Sequence, residues 1–205
     1  MDYKFLDLES NLQICIIDNI FTDTEYTQIY NELEYINKFQ FFVNDSKAAG
    51  SAIIKNSYLT KHRYTLALDR YYENNRLSSS FLTYYKKGVD QVIKPNINSI
   101  SKIWNLLFAT DYDSTLLARF TEDGEYDSHI DSAAITQIFY IHNEPKQFTG
   151  GDLVFTDYNY TVEYKANRMI LFPSFYKHKV TKVKADTELN TIDCRFSYST
   201  FYLFK

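Results

Sequence analysis

The strongest constraint on this sequence is a change of period near Ser114. Beyond it the chain breaks into short runs rich in β-branched and aromatic residues: STLLARF, AAITQIFYIHN, DLVFTDY, TVEYKA, NRMILFPS, KHKVTKVKA and TIDCRFSYSTFYLF. Turn signals at Gly150-Gly151 and Tyr158-Asn159 punctuate them. Before Ser114, apolar residues recur at three- and four-residue steps, from Leu77, Phe81, Tyr85, Val89 and Val92 to Ile97, Ile100, Ile103 and Leu107. That is the spacing of a helix face, and Pro95 interrupts it, so two helices are predicted there. Near the start, Ile14, Cys15, Ile16 and Ile17 form a buried-strand run, and Thr22 followed by Glu25 is a capping-box signature for a helix. Helices first and antiparallel strands afterwards predict an α+β fold, a β-sandwich or jelly roll buttressed by N-terminal helices. No repeat or linker divides the chain, so one domain over residues 1–205 is expected, with a flank of about 1–113 and a strand core of about 114–205.

Composition narrows the function classes. An 18% aromatic share, with 19 Tyr and 16 Phe, suits half-buried sheets. The formal net charge of -4, with only short basic clusters such as Lys61-His62-Arg63 and Lys86-Lys87, argues against a nucleic-acid footprint, and these clusters read as solvated surface. Cys15 and Cys194 make neither a disulfide framework nor a zinc pattern. The opening MDYKFLDLES lacks the apolar stretch of a signal peptide, and no run approaches the roughly 18 apolar residues of a membrane span. A reduced, cytoplasmic setting is therefore expected. Residues 44–61 lack periodicity and read as a surface loop or lid over a site.

YDSHIDSAAI carries the first chemistry. On a strand, His129 and Asp131 share a face while Ile130 points away. Two potential metal ligands then stand side by side, although a polar strand end facing water has the same pattern. His178, downstream in LFPSFYKHKVTKV, is the third candidate ligand. Two histidines and one carboxylate on one face form the facial triad that suits non-heme Fe(II). In DCRFSYSTF, alternation puts Arg195, Ser197, Ser199 and Phe201 on one face. A guanidinium aimed into a dry interior needs an anion. Either a dicarboxylic ligand supplies it, with the Ser197 hydroxyl adding a hydrogen bond, or a neighbouring acid such as Asp193 does.

In order, Gly124-x-Tyr126-x-x-His129-x-Asp131, Gly150-Gly151-Asp152-Leu153-x-Phe155, Phe172-Pro173-Ser174, His178-x-Val180 and Arg195-x-Ser197 resemble the double-stranded β-helix core of the 2-oxoglutarate- and Fe(II)-dependent dioxygenases of prolyl 4-hydroxylase-like type. The resemblance runs from about Leu116 to the end. It implies that His129, Asp131 and His178 hold Fe(II) and that Arg195 pairs with the far carboxylate of 2-oxoglutarate. Tyr140 would reach that carboxylate with its hydroxyl, Thr136 would line the pocket, and Tyr126 would stand beside the iron or simply pack. Two departures stand out. Phe120 occupies a position that is often Tyr, and KADTELNTID lengthens the stretch between His178 and Arg195, where it should protrude as a loop.

The resemblance further implies consumption of oxygen and 2-oxoglutarate, release of succinate, and hydroxylation of an unactivated C–H bond, with ascorbate in support. Related halogenases lack the carboxylate that Asp131 supplies, so hydroxylation is the expected outcome. Relatives that repair nucleic-acid bases carry a second arginine where this chain has Phe201. A prolyl residue in a peptide or protein is the expected substrate. The competing readings are a free amino acid or other small metabolite as substrate, and a non-catalytic metal-binding β-sandwich module.

Overall fold

The computed structural model describes residues 1–7, 12–44 and 60–205. The candidate lid, residues 44–61, therefore lies almost wholly outside the described residues.

Two strands open the fold, β1 (Asp2–Asp7) and β2 (Gln13–Asp18). Helix α1 (Asp23–Lys38) follows, and its start is the predicted capping box. Thr22 Oγ1 accepts from the Glu25 amide, and the Glu25 carboxylate accepts from the Thr22 amide at 2.8 Å. Ile29, Leu33 and Ile36, one helical face, are buried. The flank then adds β3 (Val43–Asn44) and β4 (Thr60–Ala67). The core comprises β5 (Tyr112–His129), β6 (Ile135–Ile141), β7 (Leu153–Phe155), β8 (Tyr160–Val162), β9 (Arg168–Pro173), β10 (His178–Val180) and β11 (Arg195–Leu203).

Between β4 and β5 the structure departs from the two predicted helices. The chain instead makes short helical turns at Ser80–Tyr84, Val89–Ile93, Lys94–Asn96 and Leu106–Ala109, with a 3₁₀ turn at Lys102–Asn105. Pro95 sits inside one of them. The preceding turn, Val89–Ile93, is a wider π turn, and the proline ring, which has no N–H to place, follows it. Gly88, at its start, lies so close to the sheet that a Cβ there would be 2.5 Å from Met169 Sδ. Phe81, Val89 and Val92 are core as expected, but Leu77 is exposed.

Among the described residues all strand pairs are antiparallel, in the order β1-β2-β9-β6-β11-β5-β10-β7-β8, with β4 also on β5 and β3 on β4. This is the jelly-roll, double-stranded β-helix core of an α+β fold. Strict alternation splits its apolar residues into two clusters. Ile17, Phe139, Leu171, Phe196 and Tyr198 face the helical flank and pack with Leu33, Phe81 and Trp104. Ile16, Ile138, Ile170 and Phe172 point the other way, into the barrel, with Leu153 and Phe155. Burying one such side chain contributes about 2 kcal/mol.

Strand β5 is much longer than the STLLARF run. It pairs with β11 through Phe120, bends at Asp123 (φ +60°) and Gly124, and continues beside β10, where His129 faces His178. A Cβ on Gly124 would come within 2.7 Å of the Thr121 carbonyl, so the bend requires glycine. One strand thus pairs with β11 and β4 at one end and carries His129 to β10 at the other. KADTELNTID is irregular, as expected, with Leu189 folded back on the core.

Candidate active site

The bend in β5 and the short strand β10 bring His129 and His178 into register, and the turn after β5 adds Asp131. One ligand atom from each lies within 4.8 Å of the others. His129 Nε2 is 3.5 Å from Asp131 Oδ1, and His178 Nε2 is 3.5 Å from Asp131 Oδ2. Two atoms at right angles on a metal with bonds of about 2.1 Å are about 3 Å apart. The spacing therefore suits one ion.

The imidazoles are oriented for it. His129 Nδ1 lies 2.8 Å from the Asp127 carbonyl and His178 Nδ1 lies 2.9 Å from the Tyr176 carbonyl. A carbonyl only accepts, so each Nδ1 carries the hydrogen and each Nε2 presents its lone pair to the centre. Burial pushes the His178 pKa down and keeps it neutral. Burial alone would raise the Asp131 pKa, but the neighbouring imidazoles and the Thr136 hydroxyl that donates to it outweigh burial and lower it. Thr136 Oγ1 donates to Asp131 Oδ2 at 2.7 Å and is 2.8 Å from Ser174 Oγ, which donates in turn. Two imidazole nitrogens beside an oriented carboxylate fit a divalent cation.

The same pocket is lined by Arg195, Ser197, Ser199 and Phe201, the face predicted from alternation. Arg195 is 1% exposed. Its Nε donates to the Gly151 carbonyl at 3.1 Å and Nη1 to Ser197 Oγ at 2.7 Å. Phe120, Tyr140 and Tyr164 surround it, with ring centroids 4.7, 5.1 and 5.0 Å from Cζ. Among the described residues no carboxylate is within ion-pairing distance of it, and Asp193, the suspected partner, accepts from Asn190 instead. Burial, and secondarily the charge of Arg63, lower the Arg195 pKa, yet a guanidinium remains charged. Beside it the Tyr140 hydroxyl is buried without a hydrogen-bond partner, and burial pushes its pKa up to about 12, so it keeps its proton. A buried cation and an idle donor together describe the seat of an anionic group.

Sequence reasoning missed three residues here. Arg63, read as solvated surface, is 9% exposed and lines the pocket from β4. Tyr164 belongs to the TVEYKA run, just past β8, with no signal there of a role, and its hydroxyl donates to the Ile141 and Phe196 carbonyls. Gly151 is legible in the sequence as a turn and as part of the Gly150-Gly151-Asp152 motif, without a role toward Arg195. At φ +72° its missing Cβ leaves room for the Arg195 stem, 3.0 Å away. Tyr126 stacks on the His129 ring at 3.7 Å and 13°. Phe120 has no hydroxyl to offer the pocket and serves as a face under Arg195. A larger cleft, about 250 Å³ and lined by Lys86, Asp90 and Tyr112, lies elsewhere. No helix among the described residues is long and apolar enough to cross a membrane.

Comparison with known proteins agrees with this geometry. Residues 115–203 match the family model described as the 2OG-Fe(II) oxygenase superfamily. No curated protein matches the chain by sequence. Among solved structures, a Pseudomonas putida prolyl-4-hydroxylase is similar with a TM-score of 0.66 at 13% identity, covering 97% of this chain and 96% of that one. A Trichoplax adhaerens prolyl hydroxylase, solved with a hypoxia inducible factor peptide fragment, gives 0.61 at 15% identity, covering 93% and 83%. A protein named OsALKBH1 also gives 0.61, at 11% identity, covering 98% and 100%. The family implies Fe(II) and 2-oxoglutarate, and the triad, the counter-ion-free Arg195 and the idle Tyr140 hydroxyl fit both. The strand core, residues 115–203, thus matches the 2OG-Fe(II) oxygenase superfamily model, and the chain as a whole shares the fold of a prolyl 4-hydroxylase.

Proposed function

We propose that the chain is a single-domain, Fe(II)- and 2-oxoglutarate-dependent dioxygenase that hydroxylates an unactivated C–H bond, with a prolyl residue in a peptide or protein as its substrate. The observation that carries the reading is Arg195, a buried guanidinium with no carboxylate partner among the described residues, facing the same pocket as His129, Asp131 and His178. The three would hold the iron. When bound, it supplies the centre at which oxygen and 2-oxoglutarate react, giving succinate, carbon dioxide and a hydroxylated product.

The chain's own residues do the rest. Asp131, whose pKa is lowered by its neighbours, has its carboxylate held in plane by the Ser174–Thr136 relay. Arg195, pre-oriented by the Gly151 carbonyl and Ser197, anchors the far carboxylate of the cosubstrate as a fork. The Ser197 hydroxyl in the pocket lining donates to it, the buried Tyr140 beside Arg195 would turn its free hydroxyl to it, and Phe120, Leu153 and Val180 exclude water around it. The prolyl assignment draws support from the two prolyl hydroxylases among the similar structures, one of which holds a peptide. Buried, unpaired Cys15 and Cys194 favour a reducing, cytoplasmic setting, and ascorbate is expected to sustain turnover by keeping the iron ferrous.

The first test is spectroscopic. Anaerobic addition of Fe(II) and 2-oxoglutarate should give a visible charge-transfer band, absent in His129→Ala. Oxygen should then yield succinate, and the yield should rise with proline-containing peptides more than with free proline. A folded protein that binds the metal but gives neither band nor succinate would favour the non-catalytic metal-binding module. Stimulation by free amino acids alone would overturn the peptide assignment.

A further inference from the structure

The two histidines are held in different ways. His178 is 3% exposed and walled by rings of the core strands, Phe172 at 4.9 Å and Phe155 at 6.3 Å. His129 stands at the very end of β5, and the bond from its Nδ1 to the carbonyl of Asp127 restrains the ring chiefly within its own plane. Swing out of that plane is limited by what covers the two faces. One neighbour is His178, tilted by 56° at 4.3 Å, and the other is Tyr126, stacked almost parallel at 3.7 Å. Tyr126 is only half-buried. Against it lies Arg63 of β4, whose Cζ is 4.7 Å from the Tyr126 centroid and 5.6 Å from that of Phe120.

We propose that Arg63 and Tyr126 are positioning residues for the metal site: Arg63 holds the Tyr126 ring against His129 and thereby fixes the direction of His129 Nε2. The inference rests on the reading of the triad as a metal centre. It extends that site beyond the family-matched span, since Arg63 lies outside residues 115–203. Arginine suits the task because its planar head lies flat on a ring and its attraction to that ring strengthens when water is excluded. Charge alone would act in the opposite sense, because a nearby cation repels a metal ion. The direction of the change on removing Arg63 therefore separates positioning from simple electrostatics.

The test is a titration of the metal-free full chain with Co(II), read from its visible d–d bands. Partners that orient a ligand typically change metal affinity by about ten- to a hundredfold. Tyr126→Leu and Arg63→Met should therefore bind Co(II) at least about tenfold more weakly and with altered bands, while unfolding thermally like the wild type. Tyr126→Phe, which keeps the ring, should bind as the wild type does. Co(II) binding by Arg63→Met that is as tight as wild type, or tighter, overturns the inference. If Arg63→Met does not fold, Arg63→Lys replaces it, because it keeps the charge and loses the plane. Wild-type affinity in that variant overturns the inference equally. The two failures are distinguishable: a wild type that binds Co(II) no better than His129→Ala sinks the metal reading itself, whereas a normal difference between those two with an unchanged Arg63 variant sinks only the positioning role.

Discussion

A hydroxyl with nothing to bond is unfavourable in a protein interior, and Tyr140 carries one. Removing it separates two quantities that usually move together. Tyr140→Phe should leave the metal-free protein as stable as the wild type or up to about 1 kcal/mol more stable, since an unsatisfied buried group is lost. The same change should weaken 2-oxoglutarate by roughly tenfold, the scale of one hydrogen bond to a charged acceptor. Thermal unfolding and calorimetric titration check the two halves, and a loss of stability with unchanged 2-oxoglutarate affinity would make the hydroxyl structural. Gly151 gives the converse case. An alanine there meets both a left-handed φ of +72° and the Arg195 stem, so Gly151→Ala should cost about 1–2 kcal/mol and raise the 2-oxoglutarate requirement. Co(II) affinity should stay unchanged, because the triad is built on other strands; a matching loss of metal binding would show that the whole pocket had collapsed.

Secondary elements differ in how much of themselves the sequence declares. The two faces of strand β11 were legible because its alternation is strict, and it puts Arg195, Ser197, Ser199 and Phe201 on the pocket face and Phe196, Tyr198 and Tyr202 on the other. The segment from Leu77 to Leu107 was legible as buried but not as shape. Periodicity records which side chains face the sheet, whereas the close approach at Gly88 and the π turn before Pro95 decide how the backbone gets them there. Strand β4 and the role of Arg63 left no pattern, since a half-buried strand between charged residues resembles a loop. A different device joins β2 to β9: Arg168 donates to both oxygens of Asp18 at 2.6 and 2.9 Å, at the end of the ladder. The Arg168 hydrogen bonds lower the Asp18 pKa from its ordinary value of 3.8, so the pair stabilises the fold above that value and the contribution is lost as the pH falls through the depressed one. Asp18 is 24% exposed, so water partly screens the pair. Asp18→Asn should therefore cost no more than about 1 kcal/mol at pH 7. The difference from wild type in urea unfolding should shrink as the pH drops below 3.8 and vanish once it is below the depressed value, and a gap that persists there would assign the effect to packing.

At the scale of the whole molecule, the flank and the strand core share one sheet and one apolar cluster. Strand β2 pairs in register with β9, and Leu33, Phe81 and Trp104 pack with Phe139, Leu171 and Phe196. Without the flank, the β9 edge would be unpaired and the outer face of the sheet would be exposed, both of which invite aggregation. Folding of flank and core should therefore be one event. The chain provides its own reporter, because its one tryptophan, Trp104, lies in the flank, 1% exposed and in edge contact with Phe5 of β1. In urea, the fluorescence of Trp104 reports the flank, while far-UV circular dichroism reports mostly the sheet. The two curves should superimpose with a common midpoint and slope, the signature of a two-state unit. Leu33→Ala, which removes a fully buried flank side chain, should shift both together by about 2–5 kcal/mol of stability. A fluorescence transition that precedes the loss of β-signal would instead mean that the flank can detach from a core that stands alone. In that event Arg63 could leave the metal site without unfolding it, and metal affinity would fall in the window between the two transitions.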